Sequence, residues 1–311
     1  MLRQALLALS ASKQARDLIM ATPLTRDVVA RFVAGEAADD ALTVTERLIG
    51  DGRLVTIDFL GEDTTDPEQA AGVAAEYVRL LGRLSAAGLS GHGRAEVSVK
   101  PTAVGLGLAE HGEKTALENI SRIATAARNA GTTVTLDMED HSRIEQTLKL
   151  VGELRADFPD LGCVIQSYLR RSLADCQALA VHGSRVRLCK GAYQAPESVA
   201  WTSRAEVDRS YVRCMRTLLE GSGYPMLATH DPRLIRIAGT KAGILGREPL
   251  SFEYQMLYGI RPDEQARLAA AGAQVRVYLP YGSDWYGYLV RRLAERPANL
   301  AFFLRALRSR R

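Results

Sequence analysis

The sequence is poor in cysteine, in aromatic residues and in long apolar runs. Its 311 residues include only 4 Cys, and Phe, Trp and Tyr together make up 6%. The cysteines show no CxxC spacing, so we expect free thiols in a reducing, cytoplasmic compartment. No segment approaches the ~20 apolar residues of a membrane span. These absences argue against a disulfide-stabilised secreted domain and against an integral membrane protein.

Motifs for metals, dinucleotides and nucleic acids are also missing. The 5 His residues form neither an HxxxH nor an HExxH pattern, so no metal site is visible. The segment GLGLAEHG (105–112) lacks the full GxGxxG fingerprint and is interpreted as a loop. The net charge is only +4, with acids and bases interspersed, and this pattern gives no indication of a nucleic-acid partner.

The composition is that of a folded protein, with 47% hydrophobic and 24% charged residues. The first residues, up to about residue 50, show the periodicity of short helices. Their initial apolar run is too short for a signal peptide and is interrupted by Gln4, which favours an N-terminal helical arm over residues 1–50. Thr43 or Thr45 is predicted to begin a capped helix near residues 43–48.

Between about residues 55 and 300 we count eight strand signals, each followed by a helix signal. The first strand (55–60) precedes a helix at 67–86, and the last strand (274–281) precedes a helix at 285–296. This alternation predicts an α/β protein with a parallel sheet, and eight units favour a closed (β/α)8 barrel over residues 51–311. An open doubly wound sheet is the alternative, because periodicity cannot show closure.

Polar residues concentrate at the predicted carboxyl ends of the strands, where a barrel forms its site. Each of them alone could be structural, but their presence at all eight strand ends favours a functional site. They are Asp58, Lys100, Asp137, Glu139, Gln166, Arg187, Lys190, Thr229, His230, Glu253, Gln255, Tyr278 and Tyr281.

The segment after the eighth strand carries four polar residues at helical spacing. Tyr288, Arg291, Arg292 and Glu295 follow an i, i+3, i+4, i+7 pattern and share one helix face. One interpretation is an exposed face with a weak Arg291–Glu295 ion pair. The other is a carboxylate-binding fork, since two guanidinium groups can grip a carboxylate bidentately. The spacing alone leaves both open.

Several segments resemble the flavin-dependent proline dehydrogenase family, in its short, monofunctional bacterial form. The most specific are VSVKPT (97–102), LDMED (136–140), RLCKGAY (187–193), FEYQMLYGI (252–260) and RVYLPYGSDWYGYLVRRLAERPAN (276–299). The resemblance implies a distorted barrel whose last helix lies over the mouth. It also implies oxidation of L-proline to Δ1-pyrroline-5-carboxylate, the first step of proline degradation to glutamate. Hydride would pass from proline C5 to N5 of non-covalent FAD, and electrons would then pass to a membrane quinone. A separate pyrroline-5-carboxylate dehydrogenase would act downstream.

On the substrate side, the resemblance assigns two groups of residues. In the charged group, Arg291 and Arg292 would ion-pair the proline carboxylate, and Lys100 and Glu295 would support the charge network around it. Asp137 would orient the Lys100 side of the site. The second group would enclose the pyrrolidine ring and shield it from water; it consists of Tyr193, Leu257, Tyr278 and Tyr288. We expect Tyr278 to act in catalysis as well as in binding.

On the cofactor side, the resemblance places Arg187 near flavin N5 and Gln166 near the isoalloxazine ring. The remaining FAD-binding positions, which include those along the ribityl–pyrophosphate chain, are Lys190, Gly191, Ala192, Thr229 and His230. The resemblance implies no metal.

Two other functions are weighed against this one. A barrel lyase could form a Schiff base on Lys100 or Lys190, because both lysines fall at strand ends. A non-enzymatic membrane or nucleic-acid module could use the basic segment NLAFFLRALRSRR (299–311). Within the enzyme hypothesis, that segment would make a weak contact with the inner face of the cell membrane and bring the flavin near its quinone.

Overall fold

In the computed structural model, which describes residues 29–61 and 64–289, eight parallel strands close into a barrel. Each strand pairs with the next in chain order, and β8 pairs with β1. The strands are β1 (Leu54–Phe59), β2 (Ala95–Val99), β3 (Val134–Leu136), β4 (Gly162–Gln166), β5 (Arg185–Cys189), β6 (Tyr224–Ala228), β7 (Glu253–Leu257) and β8 (Val275–Tyr281). The predicted closed barrel is therefore confirmed, and the open sheet is wrong.

Helices precede and separate the strands. They are α1 (Ala38–Gly50), α2 (Pro67–Ala86), α3 (Gly112–Asn129), α4 (Ile144–Leu154), α5 (Ser172–Leu179), α6 (Arg204–Glu220), α7 (Pro232–Ile244) and α8 (Pro262–Ala270). A further helix follows β8 from residue 285. Asp66 and Asp231 cap α2 and α7 by accepting from backbone N–H groups, and proline occupies the first helical position of each.

The start of α1 differs from the prediction. The helix begins at Ala38, so Thr43 and Thr45 lie inside it. Asp40 accepts from the Ala37 N–H (3.0 Å), and the Thr43 hydroxyl donates back to the Asp39 carbonyl (2.9 Å). The division into an arm (1–50) and a barrel (51–311) stays a prediction, and residues 1–28 lie outside the described part of the chain.

The main core fills the space between the barrel and its helices. The apolar side of α2, for example, buries Leu80, Leu81 and Leu84 completely against it. None of the helices in the described part of the chain has the length and apolar character needed to cross a membrane.

A second apolar cluster, which we call the mouth cluster, lies at the carboxyl end of the barrel. It consists of Phe32, Val33, Leu60, Ile260, Trp285, Tyr286, Tyr288 and Leu289. Leu60 and Ile260 follow the ends of β1 and β7, so the segment after β8 packs over the mouth together with residues 32–33. The segment after β7 also lies close to residue 31. At Gly259, φ is +74° and a Cβ atom would lie 1.8 Å from the Arg31 carbonyl oxygen.

Candidate active site

The interior of this barrel is charged, whereas barrel interiors are usually filled by Val, Ile and Leu. Every second residue of a strand faces the same side, which on β2 aligns Glu96 and Ser98 with Lys100 just beyond the strand. Glu96 is fully buried and accepts hydrogen bonds from Arg185 Nη2 (2.7 Å) and Thr56 Oγ1 (2.8 Å). Each acid in this interior therefore has a nearby base or hydroxyl.

Asp137, just after β3, joins three side chains at the barrel mouth. Its Oδ1 accepts from Arg187 Nη1 (2.6 Å) and Ser98 Oγ (2.8 Å), and its Oδ2 accepts from the Tyr278 hydroxyl (2.6 Å). The Arg187 guanidinium also lies 5.3 Å from the centre of the Tyr278 ring. Burial raises the pKa of Tyr278 well above its usual value, and the nearby Asp137 carboxylate raises it further. The phenol therefore stays protonated and donates to Asp137.

Lys100 forms an ion pair with Asp58. Its Nζ lies 2.7 Å from each carboxylate oxygen of Asp58, and both side chains are buried. The pairing of β1 with β2 explains this contact, because it places Asp58 beside Ser98, two residues before Lys100. The role of Asp137 in orienting this side of the site stays a prediction.

Gln166 and Gly191 form a recess at the ends of β4 and β5. The Gln166 Nε2 donates to the carbonyls of Met138 (2.9 Å) and Glu139 (2.8 Å), while its buried Oε1 has no hydrogen-bond partner among the described residues. At Gly191, φ is +94°, and a Cβ atom would lie 2.9 Å from Gln166 Oε1 and 2.3 Å from Tyr168 Cδ1. Glycine is therefore required, and the buried acceptor is available for a ligand donor.

Lys190 lies in a second charged group, between the ends of β5 and β6. Its Nζ donates to Asp208 and to Asp231 (3.4 Å), and Arg233 Nη2 binds the same two carboxylates at 3.0 and 2.9 Å. Arg233, with Lys190, holds the pKa of Asp231 well below its usual range. Thr229 Oγ1 accepts from the Asp231 N–H (3.1 Å), which fixes the loop.

His230 is positioned by backbone contacts. Its Nε2 lies 2.9 Å from the Leu257 nitrogen and accepts its hydrogen bond, so the imidazole is unprotonated at that atom. The His230 carbonyl accepts from Arg261 Nη1 (2.8 Å).

The predicted ring-enclosing residues fall in different environments. Tyr288 is buried in the mouth cluster, and half-buried Leu257 packs against that cluster. Ala192 and Tyr193 lie in the exposed loop after β5, where 36% of Tyr193 remains exposed.

The predicted carboxylate-binding residues Arg291, Arg292 and Glu295 lie outside the described residues.

Sequence reasoning missed Ser98, Glu96, Arg276 and Asp208. The first two carried a usable signal, because they alternate with Lys100 at i, i+2 and i+4 along one strand. Asp208 lies within α6, and no local pattern singles it out. In the part of the chain that the structure describes, no group of three or more His, Cys, Asp or Glu side chains is arranged to hold a metal ion.

Buried acids and bases at the carboxyl ends of the strands, under an apolar cover, define a (β/α)8 enzyme with a charged site. A sequence profile described as proline dehydrogenase matches residues 41–305. The proline dehydrogenase of Deinococcus radiodurans is 42% identical over 281 residues, which cover 89% of each chain. Proline dehydrogenase 1 of Bacillus subtilis is 38% identical, and the match covers 99% of each chain. This chain belongs to the proline dehydrogenase family.

A solved structure supports the fold. Proline utilization A from Bdellovibrio bacteriovorus, inactivated by N-propargylglycine, superimposes with a TM-score of 0.78 at 28% identity. The match covers 86% of this chain but only 32% of that protein, so this chain spans about a third of its length. The family resemblance seen in the motifs is thus confirmed, and the curated relatives of similar length are consistent with a monofunctional bacterial enzyme.

Family membership gives this chain proline dehydrogenase activity, the first step of proline catabolism, and implies a flavin cofactor. The residues present fit a flavin. The buried Gln166 Oε1 offers an acceptor, and the buried Arg187 Nε and Nη2 offer donors that have no hydrogen-bond partner in the described structure. Gly191 lets a ligand approach the backbone between them.

Proposed function

We propose that this chain oxidises L-proline to Δ1-pyrroline-5-carboxylate with FAD as the hydride acceptor, and that a membrane quinone reoxidises the flavin. One observation carries the proposal. Arg187 has two buried nitrogens without hydrogen-bond partners, while Asp137 and Ser98 fix the third. A guanidinium held in this way is ready to donate to a ligand at the barrel mouth.

When bound, FAD supplies the redox chemistry by accepting the hydride from proline C5. The residues of the chain bind and orient the cofactor and the substrate, and they exclude water from the site. Asp137 holds Arg187 in place, and Arg187 and Gln166 would bind the flavin ring through the Arg187 guanidinium and Gln166 Oε1. Lys190, Gly191, Ala192, Thr229 and His230 would complete the cofactor side.

The substrate side would select one orientation of proline. Arg291 and Arg292 would grip the carboxylate, supported by Lys100 and Glu295, so that C5 faces the flavin. Tyr278, held by Asp137, would crowd the ring together with Tyr193, Leu257 and Tyr288. Proline must react as the neutral amine, because its lone pair drives the departure of the hydride.

The ion pairs argue against a Schiff-base lyase. Lys100 contacts both oxygens of Asp58, and Lys190 contacts Asp208 and Asp231. Both amines are therefore engaged by carboxylates, whereas a Schiff-base lysine must reach a substrate carbonyl carbon.

The proposed electron acceptor and product define the partners. The quinone would be reached at the inner face of the membrane, aided by the basic segment 299–311, and a separate dehydrogenase would consume the pyrroline-5-carboxylate. A nucleic-acid partner is not proposed. Deleting residues 305–311 is expected to weaken liposome binding at low salt; unchanged, salt-insensitive binding would refute the membrane contact.

The decisive experiment is an anaerobic flavin spectrum. The purified protein should be yellow, and its flavin absorption should bleach when proline is added. N-propargylglycine should inactivate it, as it did the Bdellovibrio relative. A colourless protein that takes up no FAD would refute the proposal.

The carboxylate fork has its own test. Arg291→Ala should raise KM for proline steeply while flavin stays bound, with exposed Arg216→Ala on α6 as the control. An unchanged KM would refute the fork.

A further inference from the structure

Arg187 has a second carboxylate neighbour besides Asp137. Its Nη1 donates to Asp137 (2.6 Å) and Ser98 (3.0 Å), whereas its Nη2 lies 3.9 Å from Glu96 Oε1. That distance is too long for a hydrogen bond. The Coulomb interaction over it is nevertheless strong, because Glu96 is fully buried and Arg187 nearly so.

Glu96 is fixed in place by its neighbours. Its carboxylate accepts from Arg185 (2.7 Å), Thr56 (2.8 Å) and Thr135 (3.2 Å), and Arg276 Nε lies 3.8 Å away. Burial alone would raise the pKa of Glu96, but the surrounding arginines lower it to about 2. The residue is therefore a permanent negative charge beneath the site.

Four ion pairs lie in the barrel interior. Four bases (Lys100, Arg185, Arg187 and Arg276) are matched by four acids (Asp58, Glu96, Asp137 and Glu253). Removing one acid leaves an excess positive charge. Since reduction adds electrons to a flavin, such a charge favours the reduced form.

We propose that Glu96 is a positioning residue whose charge holds Arg187 and thereby tunes the reduction potential of the bound flavin. The inference rests on the proposed function, in which Arg187 binds the flavin ring. Glu96 is not among the proposed substrate or cofactor contacts, and it acts by the charge that it places beside Arg187.

Glu253 provides a matched control. It is also a fully buried glutamate bound by a guanidinium, since Arg276 Nε lies 2.8 Å from its Oε1. Its other recorded partners are Tyr224 and Gln255 rather than Arg187. Glu253→Gln therefore removes the same charge from the same interior without removing the charge next to Arg187.

The experiment compares the reduction potentials of the FAD-loaded Glu96→Gln, Glu253→Gln and unmodified proteins, measured against reference dyes without proline. In Glu96→Gln the potential should become more positive, with the equilibrium constant for flavin reduction rising on the order of tenfold. In Glu253→Gln the change should stay below about threefold. No shift in Glu96→Gln, or equal shifts in both variants, would overturn the proposal.

A second variant covers the case in which Glu96→Gln does not fold. Arg185→Gln removes the base bound to Glu96 and leaves an excess negative charge, so the potential should move in the opposite direction. An unchanged or more positive potential would contradict the proposal. If the protein binds FAD but proline does not bleach the flavin absorption, the proposed activity is refuted. The reduction potentials of the variants still test the role of Glu96 in that case. A chain that binds no FAD overturns both.

Discussion

Asp137 illustrates, at the scale of single residues, how a site can depend on one side chain that holds others. It accepts from Arg187, Tyr278 and Ser98, so its carboxylate fixes a proposed flavin contact and a proposed ring contact at once. Either contact alone would restrain one side chain. Together they fix the distance between the proposed flavin and substrate positions.

Replacing Asp137 with Asn should therefore impair the reaction more than it impairs folding. We expect kcat/KM for proline to fall about 100-fold, or about 2.7 kcal/mol, because the amide removes the carboxylate charge that Arg187 Nη1 contacts at 2.6 Å. Steady-state kinetics on flavin-loaded protein measure this. Exposed Asp157→Asn should remain within twofold of the unmodified enzyme. A fall of less than threefold in Asp137→Asn would contradict the assigned role.

Gly191 gives a prediction about cofactor retention. In Gly191→Ala the new methyl group would collide with Tyr168 and Gln166, so we expect a loss of bound flavin of at least about tenfold in affinity. Gly183→Ala is the matched control. Gly183 also has a positive φ (+77°), but a Cβ atom there meets nothing within 4 Å. If Gly191→Ala retains flavin as well as Gly183→Ala does, the recess is not a binding site.

Arg247 shows how one side chain joins elements of secondary structure. Its guanidinium donates to carbonyls at the end of α6 and to the segment leading into β7, including Gly221 (2.7 Å), Leu219 (2.9 Å) and Ser251 (3.4 Å). These carbonyls would otherwise lack partners at a helix terminus. Its planar fork of donors matches them in a way that a lysine cannot.

Arg247→Lys should accordingly lower the free energy of unfolding by about 2 kcal/mol. The midpoint of urea denaturation measures the loss. The control is Arg216→Lys on α6, an exposed arginine paired with Glu220, which should change the stability by less than about 0.5 kcal/mol. If Arg247→Lys lowers the free energy of unfolding as little as Arg216→Lys does, the carbonyl contacts of Arg247 contribute little to stability.

The strand and helix elements were well predicted because their periodicity is strong. The predicted helix 67–86 matches α2, and β8 was placed within one residue. The start of α1 was missed because Thr43 and Thr45 resemble capping residues, while Asp40 does the capping from inside the first turn. The local sequence is compatible with a helix start at Ala38 and with one at Thr43 or Thr45. Contacts of α1 with β1 and β8 favour the observed start.

The site was predicted as a set of residues but not as a set of contacts. Polar strand ends identified Lys100, Asp137 and Tyr278, but they did not predict the ion pair between Lys100 and Asp58. Which acid reaches which base depends on strand register and barrel closure, and neither is encoded locally. Arg276 was missed for the same reason, because its role appears only when β8 closes on β1.

At the scale of the whole molecule, the net charge of +4 says nothing about the balanced interior. Four acids and four bases are costly to bury inside a barrel unless each keeps its partners. The folded state should therefore depend on pH through the buried acids whose pKa values differ from those of the unfolded chain. Glu96 gives a large shift of this kind.

In the folded protein, burial alone would raise the pKa of Glu96, but Arg185, Arg276 and Arg187 lower it from 4.5 to about 2. The unfolded chain therefore binds more protons between these values, and stability rises with pH across that window. As the pH falls from about 5 to about 2, we expect Glu96 to lose up to about 3 kcal/mol of its contribution. Urea denaturation at a series of pH values measures this dependence.

The contribution of Glu96 can be separated from that of the other carboxylates. Glu96→Gln should unfold more easily at pH 7 and should show a smaller loss of stability on acidification, because it cannot be protonated. Glu113→Gln removes a surface carboxylate paired with Lys149, where solvent screens the interaction, so its pH dependence should match that of the unmodified protein. Identical acid sensitivity in Glu96→Gln and the unmodified protein would mean that other carboxylates govern the pH dependence. The three arginines around Glu96 would then not lower its pKa as the geometry requires.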